Sequence, residues 1–135
     1  MPTEQASGAD TSAYKPSTNV RRPGGSPDYK PTYRVLVHRK HEGRWLSLTD
    51  HIPLAQAQRF YDHVSQTPGE PAEGVQLSYL RGKAGEAKDG WSRVLHWRVP
   101  GNAARLDYVY RDDYVGVKGD AHPVVQIRAI NLSSH

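Results

Sequence analysis

Residues 90–99 read Gly-Trp-Ser-Arg-Val-Leu-His-Trp-Arg-Val, and their alternation constrains the fold more than any other stretch. In an extended chain successive side chains point to opposite faces. Trp91, Leu95, Trp97 and Val99 then share one face. Ser92, His96 and Arg98 share the other, with Val94 among them. Arg93 is the one cation on the apolar side. Pro100-Gly101-Asn102 is a turn. Residues 105–110 alternate on the way back, with Leu106, Tyr108 and Tyr110 set against Arg105 and Asp107. The pattern predicts an antiparallel hairpin with one apolar and one cationic face. Such a sheet needs a core on one side and leaves the other to solvent or to a polyanion.

The neighbouring segments supply that core. Residues 33–38 predict a strand, near-continuously apolar in its centre. Residues 39–48 fit a short helix or a loop. Thr49-Asp50 offers an N-cap, with Pro53 near the first turn of a helix. Leu54, Ala57, Tyr61 and Val64 recur at helical spacing, and Thr67-Pro68-Gly69 ends the run. Residues 75–80 predict another strand, 111–122 a long polar loop and 124–132 a last strand. One strand, a helical section and an antiparallel meander make an α+β domain, a small antiparallel-rich sheet with helices on one face.

Residues 1–31 contain no Leu, Ile, Phe or Trp and are rich in Ser, Thr, Pro and Gly. Such a segment buries too little apolar surface to offset its ordering entropy, so a disordered tail is expected before a single domain over 32–135. At 135 residues there is room for one domain. The net charge of +4 favours anionic partners without specifying one. Arginine outnumbers lysine twelve to six, which suits bidentate phosphate contacts and equally fits a coding bias. There is no Cys, so disulfides, thiolate zinc sites and iron–sulfur clusters are excluded. No long apolar run and no signal-peptide core occur, so no membrane association and a cytoplasmic location are expected.

Period-two counting brings cations together on the open face. Arg98, Arg105 and Arg128 fall on adjacent strands with His96 near them, and Arg81 and Lys83 follow the preceding strand. Three arginines side by side repel one another, which argues against a purely structural role. The plain alternative is the solvated face of a half-covered sheet. His38 and His41 have the spacing of metal ligands but no third partner, so no metal and no other cofactor are expected. No nucleotide-binding, serine-hydrolase or zincin motif occurs.

The short words Leu80-Arg81-Gly82, Trp91-Ser92-Arg93, Arg105-Leu106-Asp107-Tyr108 and Ser133-Ser134-His135, in this order after a strand and helices, resemble the RelE/ParE superfamily of bacterial toxins. The likeness is to the YoeB-like branch of ribosome-dependent mRNA endonucleases and covers residues 33–135. It implies a RelE/ParE-like fold whose open face grips mRNA on the ribosome, and a cognate antitoxin that covers that face. It also implies cleavage by attack of a 2′-hydroxyl on the adjacent phosphate. Arg105 then matches the arginine that steadies the transition state, and His135 the terminal acid. Arg81, Lys83 and Arg93 match positions that hold the RNA backbone, beside His96, Arg98 and Arg128 from the face count. The branch's glutamate base, just before the Leu-Lys-Gly step, has no counterpart. That stretch is Val75-Gln76-Leu77-Ser78-Tyr79, and Glu70 and Glu73 are out of register. An Arg- or Lys-based relay can stand in for it. Two further readings follow: a non-catalytic RNA-binding module on the same fold, and a protein-interaction module using Arg59 and His63 on the helix.

Overall fold

The computed structural model describes residues 16–115 and 121–132. Six strands form one mixed sheet: β1 (Ser17–Asn19), β2 (Arg34–His38), β3 (Gln76–Tyr79), β4 (Leu95–Arg98), β5 (Arg105–Val115) and β6 (Ala121–Asn131). Their order is β1-β2-β6-β5-β4-β3, with β2 parallel to β6 and every other neighbour antiparallel. Two helices, α1 (Glu42–Leu46) and α2 (Leu54–Val64), lie between β2 and β3, and short 3-10 turns flank α1. The α+β class expected from the pattern holds.

α2 buries Ala57, Phe60, Tyr61 and Val64. They meet Val35, Val37, Leu95, Trp97, Leu106, Tyr108, Val125 and Ile127 from the sheet. Phe60 is the centrepiece, edge-on to Trp97 at 5.2 Å and to Tyr108 at 5.8 Å. Each such aromatic pair adds about 0.5–1.5 kcal/mol beyond area burial. The predicted helix is therefore present, but its start differs. Leu48–Asp50 is a separate 3-10 turn, and Pro53, not Thr49 or Asp50, holds the N-cap position of α2.

The parallel pairing of β2 with β6 explains the continuous run Val35-Leu36-Val37. All three are buried, because this part of the sheet is covered on both faces. Val35 and Val37 face the main core, while Leu36 and Val124 form a small second core with Trp91 and Tyr114.

Two expectations need correction. Order begins before the expected boundary at residue 31. β1 pairs with β2, and Arg22 reaches Asp62 at 2.8 Å. Tyr29 donates to the same carboxylate at 2.7 Å, and the Trp45 indole donates to the Arg21 carbonyl at 3.2 Å. Strand pairing and polar ties hold residues 16–31, so a count of apolar residues underestimates their order. Residues 1–15 lie outside the described residues. The expected loop over 111–122 is also largely strand, since β5 runs to Val115 and β6 starts at Ala121. Two irregularities interrupt that ladder. One sets Pro123 opposite Asp112 and Asp113, where a missing N–H is tolerated.

Candidate nucleic-acid interface

The hairpin register decides what stands beside what. The Val99 N–H donates to the Ala104 carbonyl at 3.1 Å, and Asn102 Oδ1 accepts from the Ala104 N–H at 2.9 Å. Closure at this pair sets Arg98 opposite Arg105 and His96 opposite Asp107. On the edge strand, Gln76 pairs with Arg98 and Ser78 with His96. Because Trp97 and Leu106 point into the core, these four side chains emerge on the face away from α2.

His96 Nδ1 and Asp107 Oδ1 lie 2.6 Å apart, with side chains 18% and 20% exposed. Both atoms are sealed from solvent and neither has another partner. They meet at ion-pair distance without the alignment of a straight hydrogen bond. One row further on, neither Arg98 nor Arg105 has a hydrogen-bonded or acidic partner among the described residues. Like charges directly opposite on paired strands are destabilising, and nothing described here offsets that repulsion except the nearby Asp107 carboxylate.

The other end of the same face is built around Trp91. Asp89 and Gly90 both have positive φ, +56° and +88°, and the Trp91 N–H returns to the Lys88 carbonyl at 3.0 Å. Two positive φ values in a two-residue loop are the signature of the type I′ hairpin turn, for which Asp-Gly is a favoured pair. A Cβ at position 90 would strain this positive-φ backbone and push aside the Arg111 guanidinium, whose Nη2 would lie 2.6 Å from it. The turn lays Trp91 across the face, with the guanidinium carbons of Arg111 and Arg128 at 5.3 Å and 5.5 Å from its ring centroid. Tyr114 packs beside it at 5.7 Å. Arg111 also donates to the Asp89 carbonyl at 2.9 Å and to Asp113 at 3.0 Å.

Of the residues expected in the site, the structure brings His96, Arg98 and Arg105 together. Arg128 shares their face but leans the other way, onto Gln126 and Trp91. It stands at the irregularity in the β5–β6 ladder between Asp107 and Tyr108, where β6 has one extra residue. That extra residue returns Ile130 to the core. Arg81 and Lys83 follow β3 at its other end, beside Val94. By register Arg81 stands about five residues from Arg98, roughly 17 Å along the strand, so these two do not join the cluster. Arg93 does not face the core as alternation required. Its exposed side chain donates to the Leu80 carbonyl at 3.1 Å and lies over Tyr79. Trp91 likewise leaves the core face. Both departures have one cause: β4 starts at Leu95, and Val94 and Leu95 are both buried, so the period breaks ahead of the strand. His135 lies outside the described residues.

Other expectations also change. His63 on α2 is half-buried against Trp97 at 5.3 Å, and its Nε2 meets the Glu70 carbonyl at 2.9 Å. That weakens its use as an exposed contact. His38 Nδ1 accepts from the Lys40 N–H. Among the described residues no group of three or more His, Cys, Asp or Glu is placed to hold a metal. No described helix is long and apolar enough to cross a membrane.

Asp107 and Arg111 escaped the face count as site residues. The Val99–Ala104 closure would have paired Asp107 with His96, and the Asp89-Gly90 pair marks the turn that brings Trp91 onto Arg111. No family model, curated protein or solved structure matches the chain.

Proposed function

We propose that this protein is a toxin-like endoribonuclease of RelE/ParE-like fold that cuts mRNA from the uncovered face of its sheet. The observation that carries the reading is the unpaired Arg98–Arg105 couple one row from the His96–Asp107 pair. Two arginines opposite each other on paired strands, without a hydrogen-bonded partner among the described residues, can together meet the oxygens of a phosphodiester. A histidine beside them supplies a ring nitrogen that can take or give a proton. In the reaction a 2′-hydroxyl oxygen bonds to the adjacent phosphorus and the bond to the 5′-oxygen breaks. A 2′,3′-cyclic phosphate and a 5′-hydroxyl result. Arg105, with Arg98, bears the charge that develops on the phosphorane oxygens.

The order of elements supports the same reading, with β2 beside the last strand, helices on one face and a meander ending near the C-terminus. The ribosome presents the message in the cytoplasm, and an antitoxin neutralises the protein by covering the arginine end of the face. Induced expression followed by primer-extension mapping of a translated message tests the proposal. New 5′ ends in coding sequence, absent from Arg105→Ala, are expected. Intact transcripts and unaffected growth with folded protein present would end it.

The missing glutamate before Leu80-Arg81-Gly82 favours a second reading, a non-catalytic RNA-binding module on the same face. In that case Arg98→Ala and Arg105→Ala weaken salt-sensitive RNA binding, and no cleavage accompanies it.

A further inference from the structure

We infer that His96, positioned by Asp107, is the general base that takes the 2′-hydroxyl proton. The inference rests on the endonuclease reading and supplies the proton acceptor that the missing glutamate leaves open. Nδ1 is the ring nitrogen turned to the carboxylate, 2.6 Å from Asp107 Oδ1 and closed to solvent. A proton on Nδ1 is favoured opposite a carboxylate, so the neutral ring carries its lone pair on Nε2. Nε2 has no partner among the described residues and is not among the sealed atoms. The lone pair is thus presented on the uncovered face, one row from the two arginines. Poor alignment of such a pair is common before substrate binds, and the contact straightens in the complex.

The atoms balance without a metal or redox partner. The 2′-hydroxyl proton moves to His96 Nε2, the O2′–P bond forms, the P–O5′ bond breaks, and the leaving 5′-oxygen takes a proton from water. Asp107 touches no substrate atom in this scheme. It is a positioning residue, holding the tautomer and facing the imidazolium as it forms.

Single-turnover cleavage of RNA at saturating protein, with binding measured separately by anisotropy, tests the assignment. His96→Ala and His96→Asn should each lower the cleavage rate by about 100-fold to 10,000-fold, with RNA affinity within about twofold. His96→Asn keeps a donor toward Asp107 and guards against a folding defect. Added imidazole should restore His96→Ala and leave His96→Asn unrestored. Asp107→Asn should lower the rate at unchanged affinity. The pH–rate profile of the native protein should differ in shape from that of His96→Asn. The charged groups facing His96 are Asp107 and Arg105 on β5 and Arg98 on its own strand. Ser78 from β3 is uncharged, as is Ala129, which pairs with Asp107 on β6. If the native protein cleaves and folded His96→Asn cleaves equally well with the same pH profile, the base is another group and the endonuclease reading stands. If the folded native protein cleaves no message, free or on the ribosome, both fall.

Discussion

Two pairs of arginines mark the two ends of the uncovered face, and each end uses its pair differently. At the Trp91 end, Arg111 and Arg128 lie against an indole, and Arg111 adds bonds to Asp89 and Asp113. At the His96 end, Arg98 and Arg105 face each other across paired strands with no ring or acid on their guanidiniums among the described residues. The first pair flanks Trp91, which with Tyr114 packs over Leu36 and Val124. The second leaves its charge available. Equal charge on one face therefore does not mean equal function. What separates the ends is whether the chain itself satisfies each guanidinium.

The largest effect is expected where the arginines are structural. Trp91→Ala removes the ring that Arg111, Arg128 and Tyr114 share. For a half-buried tryptophan this should cost about 2 kcal/mol, below the 3–5 kcal/mol range for buried aromatics. The urea midpoint should fall at unchanged slope. Gly90→Ala should act in the same direction by about 1–2 kcal/mol, since it strains the turn and displaces Arg111. If Trp91→Ala leaves stability intact but abolishes RNA binding, the division between the ends is wrong.

Next in size are the free arginines. Arg98→Ala and Arg105→Ala should each weaken RNA binding about tenfold and reduce the slope of log affinity against log salt by about one. Thermal stability should hold, or rise by a few tenths of a kcal/mol, as the facing like charges are relieved. The contrast with Arg111→Ala is the decisive measurement. Equal losses of affinity from both ends would mean that the whole face grips RNA.

Smaller still is the effect of Arg128→Lys. The charge survives, but the flat guanidinium that stacks on Trp91 is lost. A destabilisation of about 0.5–1 kcal/mol is expected with little change in affinity.

The comparison also shows where sequence reasoning reaches. α2 and the core side of the hairpin were legible because Ala57, Tyr61, Val64, Trp97, Leu106 and Tyr108 keep one period inside one element. The His96–Arg98–Arg105 grouping follows from the same regularity. Counting set Arg128 on the correct face but not its lean onto Trp91, and it sent Trp91 to the core, because each sits where a period breaks. One is at a ladder irregularity and the other at a turn ahead of β4. The break at Arg128 is set by the pairing strand, which no local window contains, whereas the turn before Trp91 carries its own local mark in Asp89-Gly90. Ser17–Asn19 is similar: three polar residues become a strand only because the edge of β2 awaits them.

The last expected effect is on pH. His41 is buried beside the β6 irregularity, and its ring meets the Arg128 backbone. Burial, then the charges of Arg44 and Lys40 and the nearby His38, push its pKa below the ordinary histidine value, with the Arg128 contact opposing. Burial also lowers His63, opposed by the Glu70 carbonyl. For both, the unfolded chain takes up protons more readily than the folded one. Their stabilising contribution is complete above the ordinary histidine value of about 6.5 and is lost as pH falls from there through the folded value. The urea midpoint should therefore drop as pH falls below about 6.5, and the drop should shrink in His41→Gln and His63→Gln. The Arg128 bulge rests on His41, so mild acid should loosen the Trp91 end first. Indole fluorescence of a Trp45→Phe, Trp97→Phe protein, reporting on Trp91 alone, should change at a higher pH than global unfolding. Coincident transitions would show that the bulge and the core melt as one unit.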